Sequence, residues 1–377
     1  MKRWVLAAGD FTPLGGMDWA NHALAQHLAG AGREVHLVAH RVWASLAAAP
    51  GVVVHEVPRP LGSHLLGAPL LSRAASRVAE RLGRGTRLLS NGGNTRWESP
   101  TWIHYLHAAH APRVATGLRA RGVAAAGRRL FLARERDALR RAPAVICNSE
   151  RTAADVRRHY DIPGDRLCVV YYGTDPRRFG PISSAERAEA RKALGLESSR
   201  RTAVFIGALS DRRKGFDLLF DAWRALCAGN DWNVDLAVVG SGAEVETWER
   251  RGHQAGLAGR FRFLRFRSDI PRVLAACDLL VHPARYEAYG LGVHEALSRA
   301  LPVIVSGSAG VAERIDEDLR SLMLPDPLRV DDLVARLRLW HGDPPRWQRA
   351  AERAGAVLRS RTWDHMADEI VRIVEDA

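Results

Sequence analysis

The chain has 377 residues, more than one hydrophobic core usually supports, so two domains of ordinary size are expected. Its formal charge of +13 is almost all arginine, since lysine stands only at positions 2, 192 and 214; no recognition motif or run of aromatics accompanies it, which argues against a nucleic-acid partner. Four single cysteines (Cys147, Cys168, Cys227 and Cys277), without Cys-x-x-Cys spacing, argue against disulfides and zinc, and no long apolar run suggests a membrane span or signal peptide; a cytoplasmic protein is expected.

In chain order, residues 4–40 read as a strand, a glycine-bearing loop with Gly15 and Gly16, a helix and a second strand. Residues 65–89 and 113–142 carry arginines among alanines and leucines. Two readings stay open for these stretches. They are solvated helix faces whose arginine stems cover apolar surface, or a basic amphipathic surface for anionic lipid at the inner face of a membrane.

Between them, residues 90–112 hold His104, His107 and His110 near the end of an apolar strand-like run. Their i, i+3, i+6 spacing lacks an accompanying cysteine or carboxylate cluster, so a metal site is not expected. Residues 166–181, RLCVVYYGTDPRRFGP, read as a strand and a connection. AVFIGALSDRRKGFDLLFDAW (203–223) follows as a strand, a basic loop and an amphipathic helix. Residues 236–257 open with a strand ending in Gly240-Ser241-Gly242, a loop able to pass close to a nucleotide, and 260–283 supply two strands around a short helix. Strands alternating with helices in both halves predict parallel sheets covered on both faces, with ligands at the carboxyl ends of the strands.

The most informative segment is RYEAYGLGVHEALSRALPVIVS (285–306), which sets Glu287 and Glu295 eight residues apart around a glycine-bearing turn. Ala288 to Gly292 lets the backbone approach a ligand, and a helix beginning near Gly290 points free N–H groups and a positive dipole end at it, which suits a diphosphate. Glu287 then lies before the helix, and Glu295 about one and a half turns in, where a carboxylate can accept bonds from a ribose diol. The chain ends in a helical stretch, 362–377.

With its flanks, HPARYEAYGLGVHEALSRALPVIVS resembles the E-x7-E signature of the retaining family 4 glycosyltransferases. The resemblance implies an α/β GT-B fold: two Rossmann-like doubly wound parallel-sheet domains facing each other across a cleft. The acceptor-binding domain would span 1–175 and be completed by the helix 362–377; the nucleotide-sugar domain would span 176–361. Gly173, Asp175 and Phe179 match the family's interdomain crossing, with Tyr172 in place of its asparagine.

The same resemblance assigns roles. Lys214 matches a lysine that neutralises the donor diphosphate, Glu287 would orient the transferred sugar, and His107 is the choice for the histidine near that sugar. Gly16, Gly242, Arg267, Tyr289, Gly290, Leu291, Gly292 and Glu295 would contact the donor, and Gly15 and His110 would lie on the acceptor side. One departure stands out: Ala208 occupies the place of the usual loop arginine, leaving Arg212 or Arg213 to reach in from the same loop, or both as solvated charges.

The implied reaction is retaining transfer of a sugar from a nucleotide-diphosphate sugar to an acceptor hydroxyl, by a front-face path without metal or cofactor. The acceptor would be a carbohydrate, a lipid-linked molecule or a small molecule. Two other classes stay open: a GT-B sugar-nucleotide epimerase, and a catalytically degenerate sugar-nucleotide-binding scaffold, for which Ala208 is the main argument.

Overall fold

A computed structural model describes residues 2–110, 118–197, 199–229, 231–326 and 328–377, with side chains from 125 onward in the helix that opens at 118. Two compact units emerge, Met1–Gly173 with Thr362–Ala377, and Thr174–Arg361. The division falls two residues before the expected one at 175.

The first unit contains strands β1 (Arg3–Ala7), β2 (Asp10–Phe11), β3 (Glu34–Ala39), β4 (Arg41–Val42), β5 (Val52–Glu56), β6 (Arg87–Asn91), β7 (Thr101–Ile103), β8 (Val145–Cys147) and β9 (Leu167–Val169). Seven form one sheet in the order β5-β3-β1-β6-β7-β8-β9, parallel throughout, while β2 and β4 pair separately. Val35, Leu37, Val38 and Ala39 are fully buried and His36 between them nearly so, the burial of a strand covered on both faces.

Helices supply the covering layers. In Gly16–Gly30, residues Ala20, Leu24 and Leu28 recur at the spacing of one helical face and are buried. The helix Trp363–Asp376 packs on it: Met366, Ala367, Ile370 and Val374 are buried, and His27 bonds Asp364 at 2.8 Å and Asp368 at 3.0 Å. Thr362 and His365 form a capping box that starts this helix. Gly173 is required where the chain meets it, because a Cβ there would come within 2.3 Å of the Thr362 backbone.

The arginine-bearing stretch 65–89 resolves into the helix His64–Leu82 and the first residues of β6. Its buried Ala68, Leu71, Ala75 and Val78 form one stripe, leaving Arg73 and Arg77 exposed. The stretch 113–142 contains the helix Leu118–Arg141, and its residues 113–117 lie outside the described residues.

The second unit holds β10 (Arg201–Ile206), β11 (Val234–Val239), β12 (Phe261–Arg265), β13 (Leu279–His282) and β14 (Val303–Val305), parallel in the order β12-β11-β10-β13-β14. Phe216, Leu219, Phe220, Trp223 and Leu226 of the helix Phe216–Cys227 are buried in its core. Phe216 meets Phe205 of β10 and Trp248 of a neighbouring helix, each with ring centroids 5.1 Å apart.

All four cysteines are free; Cys147 and Cys277 are buried, and Cys168 and Cys227 are partly so. Among the described residues no helix is long and apolar enough to cross a membrane.

Candidate active site

In the second unit, the carboxyl ends of β10 and β13 bring two loops together. Arg285 binds both ways across them: its backbone N–H donates to the Arg213 carbonyl at 2.7 Å, and its guanidinium holds the Arg212 carbonyl at 2.6 Å and both oxygens of Asp217 at 2.7 and 3.0 Å. Gly215 makes this approach possible. Its φ is +76°, and a Cβ would lie 1.9 Å from the Pro283 carbonyl oxygen.

The clamped loops converge on Glu287. Lys214 Nζ lies 2.6 Å from Glu287 Oε2, His282 Nε2 lies 3.0 Å from the same oxygen, and Arg213 Nη1 is 4.0 Å away. Burial by itself would raise the Glu287 pKa, but Lys214, the His282 hydrogen bond and Arg213 outweigh it and hold the carboxyl well below its usual range. Burial lowers the His282 pKa, although the Glu287 bond opposes this, so a neutral ring donates from Nε2.

Of the two candidate loop arginines, Arg213 is the one beside Glu287. It is fixed by Asp211, at 3.0 Å from Nε, and by the Tyr286 carbonyl, at 3.2 Å from Nη1. Arg212 points elsewhere, toward Asp217 at 3.7 Å, with a half-exposed side chain. Ala208 is exposed, on the loop that leaves β10.

Gly290, at φ +106°, is the N-cap of the helix Leu291–Ser298, and Leu291 and Gly292 form its first turn. A Cβ on Gly290 would lie 3.2 Å from Glu287 Cγ, so this glycine keeps the carboxylate and the helix terminus close together. The first N–H groups of such a helix have no intrahelical partner and face outward. Tyr289 contributes backbone only at this turn, for its ring is buried and its hydroxyl meets His294 Nδ1 at 2.7 Å. His294 continues inward to the Thr174 hydroxyl at 2.5 Å, and burial lowers its pKa to about 3.

Glu295 sits on the same helix, half-buried, and burial raises its pKa to about 8 despite Arg178. Two more loops reach this carboxyl edge. Gly240 passes so near Gly207 that a Cβ would meet its carbonyl oxygen at 1.9 Å, and Gly242, at φ +140°, would place one 2.7 Å from Ser210 Oγ. Arg267 is tied to Asp269 through two bonds, at 2.8 and 2.7 Å.

The first unit has a site of its own at the carboxyl end of its sheet: a cavity of about 470 Å3 lined by Gly9, His40, His64, Trp102, His107 and Glu135 among others. Glu135, 2% exposed, organises one wall. It accepts from the His107 and Ala108 N–H groups at 2.8 and 3.2 Å and from the Tyr160 hydroxyl at 2.5 Å, and it meets His107 Nδ1 at 2.8 Å. His107 also stacks on Phe131, with centroids 5.1 Å apart.

His104 lines the cavity but is buried against the Tyr172 hydroxyl at 2.5 Å, and burial lowers its pKa to about 3. Thus Tyr172 in the asparagine's place completes a hydrogen bond inside this unit. His110 is half-buried and does not line the cavity. Gly15, at φ +81°, is the N-cap of the helix that Gly16 begins, and the Asp18 carboxyl in its first turn is pushed up to about 7 by burial and Asp10.

Sequence reasoning missed His282, Gly215 and Glu135. The pair His282-Pro283 at a strand end and a glycine after the basic loop were visible signals for the first two. Glu135 offered none, since it lies in an arginine-rich helix where a single glutamate is unremarkable.

The description Glycosyl transferases group 1 matches residues 186–376, and Glycosyltransferase Family 4 matches residues 14–178. The lipopolysaccharide core biosynthesis mannosyltransferase LpsB of Rhizobium meliloti is 32% identical over 231 residues, 59% of this chain and 61% of that protein. The match spans 46 to 67% of the length of this and seven other curated relatives. The crystal structure of WaaG, a glycosyltransferase involved in lipopolysaccharide biosynthesis, superposes with a TM-score of 0.80 at 19% identity, covering 99% of this chain and 100% of that one. Anabaena HepE, solved in complex with UDP and glucose, gives 0.72 at 20% identity with both chains fully covered. With two parallel-sheet α/β units and family matches over both halves, the chain belongs to the family 4 glycosyltransferases of GT-B fold.

Proposed function

We propose that the protein transfers a sugar, with retention of anomeric configuration, from a nucleotide-diphosphate sugar to an acceptor hydroxyl, without a metal ion. The observation that carries this reading is the convergence of Lys214, Arg213 and His282 on Glu287 beside the helix terminus at Gly290. As the glycosidic bond breaks, the leaving diphosphate gathers negative charge. Lys214, Arg213 and the N–H groups at Leu291 and Gly292 supply fixed positive potential where that charge develops.

Glu287, held ionised, accepts hydrogen bonds from the sugar hydroxyls and stabilises an oxocarbenium-like transition state. In a front-face path the acceptor hydroxyl attacks from the side of the leaving group, and its proton passes to the departing phosphate oxygen. No enzyme nucleophile is needed. Glu295, in the helix Leu291–Ser298, would accept hydrogen bonds from the ribose diol. The acceptor would occupy the cavity lined by His107. HepE, solved with UDP and glucose, makes uracil the first base to test.

The test is a thermal-shift screen of UDP, GDP, ADP and dTDP and their sugars, with EDTA present, on the wild type and Glu295→Ala. A ligand that binds only the native state raises its melting temperature. A shift with one nucleotide that the variant loses is expected. No shift with any of them from folded protein defeats the reading, whereas a shift without sugar transfer to any acceptor favours a catalytically degenerate scaffold, for which the exposed Ala208 is the argument.

A further inference from the structure

A second pocket of the first unit, about 760 Å3, lies between the helices His64–Leu82 and Leu118–Arg141, and five arginines line it, Arg73, Arg77, Arg96, Arg134 and Arg141, against one carboxylate, Asp137. Arg73 and Arg77 stand four apart on one helix, and Arg134 and Arg141 seven apart on the other, spacings that put each pair on one helical face. The lone carboxylate is already engaged, with Arg141 at 2.9 Å and Arg96 at 4.0 Å. No described ion pair neutralises Arg73, Arg77 or Arg134.

Arg134 is the telling member. Its Nη1 is buried without a hydrogen-bond partner, a costly state for a charged donor unless an anion arrives. Burial and the repulsion of Arg96 lower its pKa, so the surrounding protein disfavours the very charge it has gathered there. Gly93 and Arg134 also line the neighbouring cavity of His107 and Glu135, so the two spaces share a wall.

We infer that the arginine pocket is a subsite for a phosphate group, as a monoester or diester, carried by the acceptor. Guanidinium forks arriving from two helices and a loop suit a tetrahedral group with several oxygens better than a planar carboxylate, which one or two forks satisfy. The assignment to the acceptor rests on the proposed glycosyl transfer; the affinity for phosphate does not. The phosphate belongs either to a soluble phosphorylated acceptor or to a lipid headgroup.

The experiment uses the full chain and three variants: Arg73→Ala with Arg77→Ala, Arg134→Gln, and a control, Arg129→Ala with Arg136→Ala, which removes two exposed charges outside the pocket. Titration calorimetry measures inorganic phosphate binding, and sedimentation measures binding to phosphatidylcholine vesicles with and without phosphatidylglycerol. UDP affinity is measured in parallel. Phosphate binding should weaken about tenfold or more in both pocket variants and hold in the control, with UDP affinity unchanged in all. Phosphatidylglycerol-dependent sedimentation that the pocket variants lose, and that phosphate competes away, identifies a headgroup. Phosphate binding without it identifies a soluble acceptor. No phosphate binding by the wild type, or equal weakening in the control, overturns the inference. Phosphate binding in a protein that binds no nucleotide would keep the subsite and sink the glycosyl-transfer reading instead.

Discussion

Lys214 Nζ and Glu287 Oε2 are 2.6 Å apart although 73 residues separate them in sequence, and both side chains are largely buried. The pair joins the cation suited to a diphosphate to the carboxylate suited to a sugar, so each holds the other's charge in place.

Removing either partner should therefore act on chemistry and stability differently. Lys214→Ala strands a buried carboxylate and should cost about 3 kcal/mol of stability, whereas Glu287→Gln keeps shape and should cost less. Both should lower kcat by about a hundredfold or more in the folded protein. Initial rates corrected for folded fraction decide the matter, and activity that merely follows the folded fraction would remove both residues from the mechanism.

The two arginines of the same loop should separate cleanly. Arg213→Ala should reduce kcat/KM for the donor more than about tenfold, because its guanidinium stands 4.0 Å from Glu287, whereas Arg212→Ala should leave it within about twofold. Equal effects from both would mean that the loop rearranges when the donor binds.

Gly215→Ala should destabilise the protein by well over 1 kcal/mol, since φ is +76° and the new methyl would strike the Pro283 carbonyl at 1.9 Å. Denaturant unfolding measures it. A neutral result would show that the loop bearing Lys214 can retreat from β13.

Glu295 makes stability depend on pH in a definite direction. Its folded pKa, about 8, lies above the ordinary carboxyl value of 4.5, so its protonated form favours folding; that contribution is full below about pH 4.5 and is lost as pH rises through 8. Glu295→Gln removes the ionisation. Its melting temperature relative to wild type should rise steadily between about pH 5 and pH 9. A constant difference across that range would show the carboxyl to be ordinary.

Glu135→Gln should unfold the wall of the first unit's cavity more than His107→Ala does. The carboxylate serves two N–H groups, a tyrosine hydroxyl and an imidazole, and losing several of these bonds should cost on the order of 2–4 kcal/mol. His107→Ala should instead raise KM for the acceptor with UDP affinity unchanged. A loss of UDP affinity in that variant would place His107 on the donor side.

Much of this was legible beforehand because it is local. Continuous apolar runs such as 303–305, the glycines at 240 and 242, and the eight-residue spacing of Glu287 and Glu295 each report a strand, a turn or a helix face within a few residues. The closing helix was legible too, because Met366, Ile370 and Val374 repeat at helical spacing behind a Thr362 cap. The choice between Arg212 and Arg213 was not, since neighbouring residues on a tight turn point apart and only the partners, Asp217 for one and Asp211 with Tyr286 for the other, select their directions.

The sequence by itself determined the alternation of strands and helices and the residue types at their carboxyl ends, because backbone sterics and hydrophobic periodicity act over one or two turns of chain. Only the tertiary structure decided which charges meet. Lys214, His282 and Glu287 come together through β10 and β13 lying side by side, and Glu135 comes under His107 through a helix folding back over its sheet. A side chain's ionisation and orientation depend on burial and on charges a few ångströms away, and those neighbours come from distant parts of the chain.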